Sequence, residues 1–452
     1  MEVEQRKKNE NRTMQVVYIV LWMIFTFLWL YVQPLNASPD EEMRYLIPQF
    51  IYQYGVLPHG ADRAILNGLW GSSYGFNPIT SYIISALFMK ITALFTTTEG
   101  ALLISARLVS LLFGAANVWV VMKIAEKIFS EKRVYQWLFI VFATLLPEAV
   151  FICSYVNIDA MALFAASLTI YIWILGMESG WKYRHCAALG VSLSLCLLSY
   201  YNTYGFLVAS FLFFIGCHLM EGRGKPAREW FLPMIKRGLV VLAVVFVCSG
   251  WWFIRNYVLY DGDILGMETS DMVAEMFAQP QLRPSNRPTP MRQGMSFFQM
   301  LFGEGWLVST GISFIARFGF GDIYIGKWMY LVIIVLWIYG LAGFVIGIRG
   351  RYRKGAEESK RTLFHWMLAL SVFLTVGISA YYSYTSDFQP QGRYCLPMLT
   401  AFIYFMTTGI RNMNEICCKN GKMEKNVVSC MVILFTVISL LSYFVYFLPN
   451  YK

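Results

Sequence analysis

Apolar runs long enough to cross a membrane recur along the whole chain, and no other feature constrains its fold as strongly. An α-helix needs about 20 such residues to span the hydrocarbon layer of a bilayer. The composition agrees, because 57% of the 452 residues are hydrophobic and only 14% are charged, whereas soluble domains carry about 25% charged residues. The sequence therefore predicts an all-α polytopic membrane protein. It excludes an ordinary soluble enzyme, a disordered chain and a nucleic-acid-binding domain.

Eleven of the apolar runs are predicted to be transmembrane helices. They are 14–33, 102–127, 135–152, 159–177, 185–200, 203–220, 238–254, 328–348, 363–382, 394–411 and 427–447. A twelfth run, 78–96, is also long enough to cross, so the charges of the connecting loops must decide its placement. If the N-terminus is cytoplasmic and 78–96 does not cross, most of the 37 Lys and Arg residues fall in cytoplasmic loops, as the positive-inside rule requires. We therefore expect 78–96 to be a helix docked in the outer leaflet or against the bundle.

The whole chain, 1–452, is predicted to form one transmembrane domain. Two long segments are expected outside the bilayer: 34–101, a first outer loop with juxtamembrane helices, and 255–327, a second and irregular outer loop. Four prolines and three arginines fall between positions 280 and 292, which predicts a mobile middle for the second segment. The nine cysteines have no spaced pattern, so neither disulfides nor a cysteine metal site is expected.

Ionisable residues near the membrane surface, away from the basic cytoplasmic clusters, are candidates for function. Those on the predicted outer side are Asp40, Glu41, Arg44, Arg107, Asp159, Arg255 with Asn256, and Arg393 between Gln391 and Tyr394. Carboxylates can deprotonate a hydroxyl or hold a divalent cation, and arginines can bind a phosphate through paired hydrogen bonds. Their occurrence on one surface favours group transfer from a lipid-linked phosphate.

Each of these residues also has a structural interpretation. Ser38 and Glu41 match the N-terminus of a helix with a capping box, and Asp159 could cap the helix that follows it. Arg255 and Arg393 could be anchors that reach from a helix end to lipid headgroups. Residue types and spacing alone leave both interpretations open.

Four short motifs occur in a characteristic order. They are Pro39-Asp40-Glu41, Trp252 to Asn256 followed by Tyr260-Asp261-Gly262-Asp263, Ser313-Phe314 with Phe318-Gly319, and Gln391-Gly392-Arg393-Tyr394. With these motifs the chain resembles the GT-C class of membrane glycosyltransferases, which includes protein O-mannosyltransferases and lipid A aminoarabinose transferases. It is most similar to a bacterial membrane family of unknown function within that class. Two positions depart from the pattern: Arg44 stands where relatives often carry histidine, and Asn77-Pro78 stands where many have His-Pro-Pro.

The resemblance implies a GT-C-like bundle of about 11 transmembrane helices and a polyprenyl-phosphate-linked sugar as donor. By analogy, Asp40 is the catalytic carboxylate, Glu41 tunes it, and Asp159 is the second acid of the site. The same three carboxylates are the candidate ligands if Mg²⁺ or Mn²⁺ is used. Arg255 and Arg393, helped by Arg107, are expected to bind the donor phosphate. Four residues are expected to support the site: Arg44, Asn256, Gln391 and Tyr394.

The predicted reaction is an inverting single displacement in which Asp40 accepts the proton of an acceptor hydroxyl or amine and the lipid phosphate leaves. The enzyme is expected in the cytoplasmic membrane, with its N-terminus inside and its site on the outer face. Its partners would be the lipid-linked donor, membrane lipid and an envelope acceptor. A flippase or exporter of lipid-linked saccharide is the alternative, since it would place the same side chains beside a lipid groove. The nearly charge-free span centres argue against ion-coupled transport.

Overall fold

The computed structural model describes residues 2–351 and 357–451. Of residues 2–10, 349–351 and 357–358 only the backbone is described. The predicted cytoplasmic clusters around 6–8 and 349–354 therefore lie outside the described side chains. What is described is almost entirely helical, with one short antiparallel hairpin that places Arg317 opposite Tyr324.

Sixteen α-helices follow one another along the described chain. They are α1 Glu2–Val32, α2 Glu41–Tyr54, α3 Thr80–Thr92, α4 Glu99–Ile128, α5 Arg133–Thr144, α6 Pro147–Ile152, α7 Asp159–Ser179, α8 Tyr183–Leu197, α9 Tyr204–Glu221, α10 Ala227–Leu259, α11 Met267–Phe277, α12 Trp306–Ile315, α13 Lys327–Arg351, α14 Glu357–Thr385, α15 Leu399–Cys417 and α16 Gly421–Leu441. The hairpin strands, β1 Arg317–Phe318 and β2 Ile323–Tyr324, lie between α12 and α13. Short 3₁₀ turns cover Tyr74–Phe76, Tyr201–Thr203, Pro280–Leu282, Gly392–Met398 and Leu448–Asn450, and π turns cover Gln299–Gly303 and Ser442–Phe447.

Eight helical segments of the described chain are long and apolar enough to cross a membrane, which confirms the predicted multi-pass fold. They are Asn11–Val32, Glu99–Ile128, Asp159–Ser179, Tyr201–Glu221, Ala227–Leu259, Lys327–Ile348, Ser359–Thr385 and Gly421–Asn450. The other three predicted spans form shorter helices. The run 135–152 is divided into α5 and α6 at Pro147, which has no N–H to continue the helix. The run 394–411 begins with a 3₁₀ turn containing Pro397. The total of eleven crossings stays a prediction.

The ambiguous run 78–96 forms the short helix α3, of 13 residues. At about 1.5 Å per residue, such a helix is too short to cross the roughly 30 Å hydrocarbon layer. Its buried face, including Tyr82 and Met89, packs against α2 and α4. Ser85 donates a hydrogen bond to the carbonyl oxygen of Ala106 in α4 at 3.0 Å. This geometry favours the docked position over a crossing.

The segment 255–327 is more regular than its composition suggests. It contains the end of α10, helices α11 and α12, and the hairpin. Its proline-rich middle is folded into turns, in which Asn286 donates to the carbonyl of Pro280 at 2.7 Å and Arg287 donates to that of Leu282 at 2.9 Å. The predicted mobility of this middle stays a prediction.

Two helices of the bundle meet with almost no space between their backbones. A Cβ atom added to Gly409 of α15 would lie 1.7 Å from the carbonyl oxygen of Gly340 in α13. Small residues permit this close approach, which increases van der Waals contact where lipid supplies no hydrophobic driving force. The contact fixes α15, and with it the 3₁₀ turn 392–398 at its start.

The two ends of the bundle differ in charge. Ion pairs join the loops at one end: Lys127 with Glu178, Lys132 with Glu424, Lys360 with Glu221 and Arg411 with Glu131, at 2.6–2.7 Å. Glu178 and Glu221 belong to the last turns of α7 and α9, and Lys360 lies near the start of α14. The opposite ends of these three helices begin with Asp159 and Tyr204 and finish at Thr385. The loops and helix ends on the first side also carry Arg133, Lys182, Arg184 and Arg223, so we call it the basic end.

Candidate functional site

Asp40 lies at the sharp turn between α1 and α2. Its backbone has φ 60° and ψ 12°, in the left-handed region, where an L-residue other than glycine is uncommon but aspartate is tolerated. The turn directs its carboxylate away from the helix, whose N-terminus it does not cap. Oδ2 accepts hydrogen bonds from Arg393 at 2.7 Å and from the Tyr74 hydroxyl at 3.0 Å. Oδ1 accepts none from the described residues, and the side chain is 34% exposed.

The surroundings of Asp40 keep it ionised. Burial alone would raise its pKa, but the guanidiniums of Arg393 and Arg44 and the hydrogen bonds from Arg393 and Tyr74 outweigh burial and lower the pKa to about 2. Burial raises the pKa of Tyr74 well above its usual range, so its hydroxyl stays protonated and donates. The site therefore presents a carboxylate with one oxygen held and one oxygen open.

Arg393 reaches Asp40 because the turn 392–398 is pressed against α12. The N–H of Gly392 donates to the Ser313 hydroxyl at 3.0 Å. A Cβ at position 392 would lie 1.9 Å from the backbone nitrogen of Phe314, so only glycine fits. Two of the sequence motifs, Ser313-Phe314 and Gln391-Gly392-Arg393-Tyr394, thus meet in space. The buried Arg393 is paired with protein, so the lipid-anchor interpretation was wrong for this residue.

Asp159 forms a second ion pair beside the first. Its Oδ2 accepts a hydrogen bond from Arg44 at 2.9 Å, and both side chains are buried. Arg44 also lies 3.9 Å from Asp40 and stacks over the Tyr74 ring at 4.8 Å. Its Nε and Nη2 atoms are buried and donate to nothing that the structure describes. Since an unsatisfied buried donor costs about 1–3 kcal/mol, these atoms are suited to hold an oxygen atom of water or of a ligand.

Glu41, the neighbour of Asp40 in sequence, faces the opposite way. It is fully buried and binds Arg107 through two hydrogen bonds, of 2.7 and 2.6 Å. The remaining N–H groups of Arg107 donate to the carbonyls of Leu30, Gln33 and Pro34 at 2.7–3.0 Å. All five N–H groups of this guanidinium are therefore engaged. The pair ties α4 to the end of α1 and leaves no donor for a phosphate.

Arg255 contacts another part of the molecule. Its Nη2 donates to the carbonyl of Pro58 at 2.6 Å, and its guanidinium lies 5.0 Å from the Trp252 ring. Asn256 accepts from Arg255 at 3.4 Å and donates to the carbonyl of Ile264 at 3.2 Å. These contacts connect the end of α10 to the first long segment. The structure does not bring Arg255 into contact with Asp40 or Arg393.

Tyr394 completes the wall beside Asp40, whereas Gln391 does not. The Tyr394 hydroxyl accepts from Arg393 at 2.9 Å and donates to Gln389. Its ring stacks on Tyr200 with centroids 5.5 Å apart and planes 5° apart. Gln391 precedes the 3₁₀ turn and makes a backbone hydrogen bond to Gln389 at 2.8 Å.

A cavity of about 660 Å³ opens in front of the Asp40 carboxylate. This is within the range of about 300–1,000 Å³ that small-molecule sites occupy. Seven tyrosines line it: Tyr74, Tyr200, Tyr201, Tyr204, Tyr381, Tyr382 and Tyr394. Its charged lining consists of Asp40, Asp271, Asp387, Arg287 and Arg292. Of the predicted site residues, Asp40 and Tyr394 line it directly, and Arg393, Arg44 and Asp159 lie behind Asp40.

Both capping interpretations of the acids were wrong. Helix α2 begins at Glu41 with Asp40 before it, and the Ser38 hydroxyl donates to Gln33 at 2.6 Å instead of capping the helix. At the start of α7 it is the side chain of Asn157 that accepts the free backbone N–H of Ala160, at 3.1 Å. The acids are therefore used in ion pairs.

Sequence reasoning missed the cavity residues Asp271, Arg287, Arg292, Asp387 and Gln389. The sequence did contain an indication of two of them, Asp387 and Gln389. Asp387 and Gln389 directly precede the motif at 391–394, and they follow a run rich in tyrosine and serine at 381–386. The cavity arginines belong to the proline-rich middle of 255–327, whose position cannot be read from composition.

The three candidate metal ligands do not converge. Asp40, Glu41 and Asp159 are each paired with a different arginine. Among the described residues there is no group of three or more His, Cys, Asp or Glu side chains placed to hold a metal ion. The residues present do not fit a metal at these carboxylates.

Comparison with known proteins gives a family match and a shared fold. Residues 78–252, well under half of the chain, match the family described as dolichyl-phosphate-mannose-protein mannosyltransferase. The fold is similar to that of the Archaeoglobus fulgidus oligosaccharyltransferase in its apo form, with a TM-score of 0.53 and 12% identity, covering 94% of this chain and 56% of that chain. No curated protein sequence matches this chain.

The fold is also similar to that of ArnT from Cupriavidus metallidurans. In its apo state the TM-score is 0.52 with 13% identity, over 96% of this chain and 77% of that chain. For the structure of ArnT bound to undecaprenyl phosphate, the TM-score is 0.50 with 13% identity, over 94% of this chain and 70% of that chain. At such low identities the likeness establishes the fold alone. The predicted all-α bundle and the resemblance to GT-C class membrane glycosyltransferases are confirmed.

Proposed function

We propose that this chain is a glycosyltransferase of the GT-C type, which transfers a sugar from a polyprenyl-phosphate-linked donor to an acceptor. The observation that carries the proposal is the Asp40–Arg393 contact of 2.7 Å, in which Asp40 lines a cavity of about 660 Å³ and Arg393 lies directly behind it. A base and a phosphate-binding cation are thereby placed side by side. The family match at 78–252 and the shared fold support the same reaction class.

A protein of similar fold supports the proposal of a lipid-linked substrate. ArnT from Cupriavidus metallidurans has been crystallised with undecaprenyl phosphate. In this chain a polyprenyl tail would lie among the spans while its phosphate enters the cavity. Arg393 binds that phosphate, and Arg287 and Arg292 on the cavity lining add positive charge.

The site is proposed to face the outer side of the cytoplasmic membrane. Helices α9 and α14 carry cavity residues at one end, and α7 begins there with Asp159, whereas the ion-paired lysines and glutamates lie at the other end of these helices. Since excess Lys and Arg collect in cytoplasmic loops, the basic end is assigned to the cytoplasm. The N-terminus then lies inside as well, because α1 leads directly to Asp40.

The chemical step is an inverting single displacement. The acceptor oxygen or nitrogen attacks the anomeric carbon, the bond from that carbon to the phosphate oxygen breaks, and the acceptor proton passes to Asp40 Oδ1. The product leaves with a new glycosidic bond, and polyprenyl phosphate is released. General-base assistance of this kind contributes about 10²–10⁴-fold.

A carboxylate with a pKa of about 2 is a weak base until its partner moves. When the donor phosphate arrives, it competes with Asp40 for the Arg393 guanidinium. Loss of that ion pair raises the pKa of Asp40, so donor binding prepares the base. Charge placed at the leaving phosphate in advance also lowers the barrier, because it needs no reorganisation during the reaction.

The remaining predicted residues are assigned by their contacts. Asp159 holds Arg44 behind Asp40, and Glu41 with Arg107 secures the loop on which Asp40 stands. Arg255 joins the end of α10 to the first long segment, and Asn256 joins it to Ile264 in the second. No metal enters the proposed step, because the three carboxylates do not converge.

The test is transfer of radiolabelled sugar from undecaprenyl phosphate to envelope material by purified protein in nanodiscs. Asp40→Asn should reduce transfer by about 10²–10⁴-fold while the protein stays folded, with its melting temperature lowered only by the loss of the ion pair with Arg393. Arg393→Ala should reduce transfer and weaken the binding of undecaprenyl phosphate. Asp261→Asn is the matched control, since this exposed carboxylate does not line the cavity.

Unchanged transfer in Asp40→Asn would remove this residue from the mechanism. A flippase or exporter would move labelled lipid across the membrane without forming a new glycosidic bond. Translocation without transfer by the wild type would therefore replace the glycosyltransferase proposal with that alternative.

A further inference from the structure

A continuous line of hydrogen bonds leaves the Asp40 carboxylate along one wall of the cavity. Arg393 Nη2 donates to Asp40 Oδ2 at 2.7 Å and to the Tyr394 hydroxyl at 2.9 Å. That hydroxyl donates to Gln389 Oε1, and Gln389 Nε2 donates to Asp387 Oδ2 at 2.5 Å. The line connects two carboxylates that both line the cavity. Asp387 has no part in the proposed chemistry described so far.

Each member of the line fixes the orientation of the next. An ionised Asp387 only accepts hydrogen bonds, so Gln389 must present its NH₂ group to it and its carbonyl oxygen to Tyr394. Tyr394 must then donate to Gln389, which leaves its oxygen lone pair facing Arg393. Arg393 is thereby held between Tyr394 and Asp40.

The line also depends on rigid support from the surrounding elements. The Tyr394 ring is stacked on Tyr200, and its carbonyl accepts from Asn202 at 2.7 Å. The backbone N–H of Asp387 donates to the carbonyl of Tyr382 at 3.2 Å, at the end of α14. Tyr394 and Asp387 are thus fixed to the bundle, so a change at Asp387 is transmitted along the line.

We propose that Asp387 is a positioning residue for the catalytic carboxylate, acting through Gln389, Tyr394 and Arg393 on Asp40. The proposal rests on the glycosyltransferase function proposed above. Asp387 itself touches neither the acceptor proton nor the leaving phosphate. It fixes the geometry in which Arg393 shares its Nη2 group between Tyr394 and Asp40.

The proposed role requires that Asp387 be ionised. Burial raises its pKa, and the negative charge of Asp40 adds to that effect, whereas the hydrogen bond from Gln389 and the charge of Arg287 oppose it. Asp271 and Arg292 are the other charged groups on the cavity lining. A protonated Asp387 could donate to Gln389 and let the amide turn over. Transfer should therefore decline as the pH falls through the pKa of Asp387, which is reached before that of Asp40.

The experiment measures kcat and KM for the undecaprenyl-phosphate-linked donor in Asp387→Asn, Tyr394→Phe and the double variant. Asp387→Asn removes the charge that orients the Gln389 amide and Tyr394→Phe removes the hydroxyl link, so each should lower kcat by about 3- to 10-fold and leave KM within about twofold. Because both cut the same line, the double variant should be no slower than the slower single variant. Asp387→Glu, which retains the carboxylate, should recover most of kcat and retain the acidic decline that Asp387→Asn lacks. Melting temperatures identify any variant that is misfolded, and Asp387→Glu against the wild type then carries the test.

Several results would overturn the proposal. Effects of the two single changes that multiply in the double variant would show independent roles. A raised KM with unchanged kcat in Asp387→Asn would mean that Asp387 contacts substrate directly. Full activity in Asp387→Asn would reject the positioning role while leaving the proposed function intact. Absence of transfer by the wild type would reject the proposed function itself.

Discussion

Asp40 and Glu41 are adjacent in sequence, and each is paired with an arginine, but the two pairs differ in almost every physical respect. In the Asp40–Arg393 pair, Asp40 lines a cavity, and one of its carboxylate oxygens accepts no hydrogen bond from the described residues. The Glu41–Arg107 pair is sealed, with all five guanidinium N–H groups engaged and both carboxylate oxygens bonded. A carboxylate can accept a proton from substrate only if it retains an open oxygen. In the Pro39-Asp40-Glu41 motif, Asp40 therefore keeps an oxygen that can meet a substrate, whereas Glu41 holds α4 to the end of α1 through Arg107.

Breaking the Glu41–Arg107 pair should have the largest effect on stability. Arg107→Ala leaves the fully buried Glu41 without its cation, which costs about 3–5 kcal/mol. We expect a strong loss of folded protein, measured as melting temperature and as monodisperse yield in detergent. Near-normal stability would show that Glu41 is not sealed, and the contrast between the two pairs would fail.

Breaking the second buried pair, Asp159 with Arg44, should reduce stability by an intermediate amount. Asp159→Asn keeps a hydrogen-bond acceptor but removes the charge, and Arg44 can turn toward Asp40, 3.9 Å away. We expect a loss of about 1–3 kcal/mol in the free energy of unfolding, measured by denaturant titration. Transfer should also fall, because the shifted Arg44 draws the Asp40 carboxylate from its position. A loss of stability as large as that of Arg107→Ala would show that the Asp159–Arg44 pair is as fully enclosed as the Glu41–Arg107 pair.

Tyr74→Phe is a smaller change, made beside the Asp40–Arg393 pair. It removes the hydrogen bond of 3.0 Å to Asp40 Oδ2 and should lower kcat by about 2- to 10-fold. It also removes one of the groups that lower the pKa of Asp40, so that pKa should rise from about 2 toward the usual 3.8. The stability contributed by Asp40 is complete above pH 3.8 and is lost as the pH falls through its folded pKa.

The measurement for that shift is the melting temperature between pH 5 and 2 in wild type, Tyr74→Phe and Asp40→Asn. The acid-dependent decline due to Asp40 should be smaller and end at a higher pH in Tyr74→Phe, and be absent in Asp40→Asn. Identical profiles in all three proteins would mean that Asp40 is not held by Tyr74 and Arg393.

The smallest effect should come from an exposed pair at the basic end. Arg411→Ala breaks a contact of 2.7 Å with Glu131, and surface pairs of this kind contribute less than about 1 kcal/mol. Melting temperature and transfer should both stay close to those of the wild type. A large loss of transfer would show that the two ends of the bundle are coupled more strongly than their separation suggests.

The sequence predicted the membrane bundle and the meeting of Asp40 with Arg393, because both rest on patterns that survive folding. Apolar length determines a span, and charge asymmetry assigns both residues to one side of the membrane. The prediction that Glu41 and Arg107 belong to the same site as Asp40 went further than apolar length and charge asymmetry allow. The side chain of Asp40 and that of Glu41 are separated by a left-handed turn, and no periodicity reveals which of them faces a cavity.

The role of Arg107 was equally hidden. An arginine near a helix end can bind a ligand phosphate or the protein itself, and only the carbonyls of Leu30, Gln33 and Pro34 decide between them. Asp387 and Gln389 were missed for a related reason. Their importance comes from one line of hydrogen bonds to Arg393, and the geometry of such a line depends on tertiary packing.

We propose that the Asp40–Arg393 pair, and not the Glu41–Arg107 pair or Arg255, receives the donor phosphate. An experimental structure of the wild type with undecaprenyl phosphate tests it most directly. The predicted result is phosphate density inside the cavity within hydrogen-bonding distance of Arg393, with the Asp40–Arg393 contact longer than 2.7 Å. Phosphate density beside Arg255 or Arg107, with no phosphate in the cavity, would contradict the account.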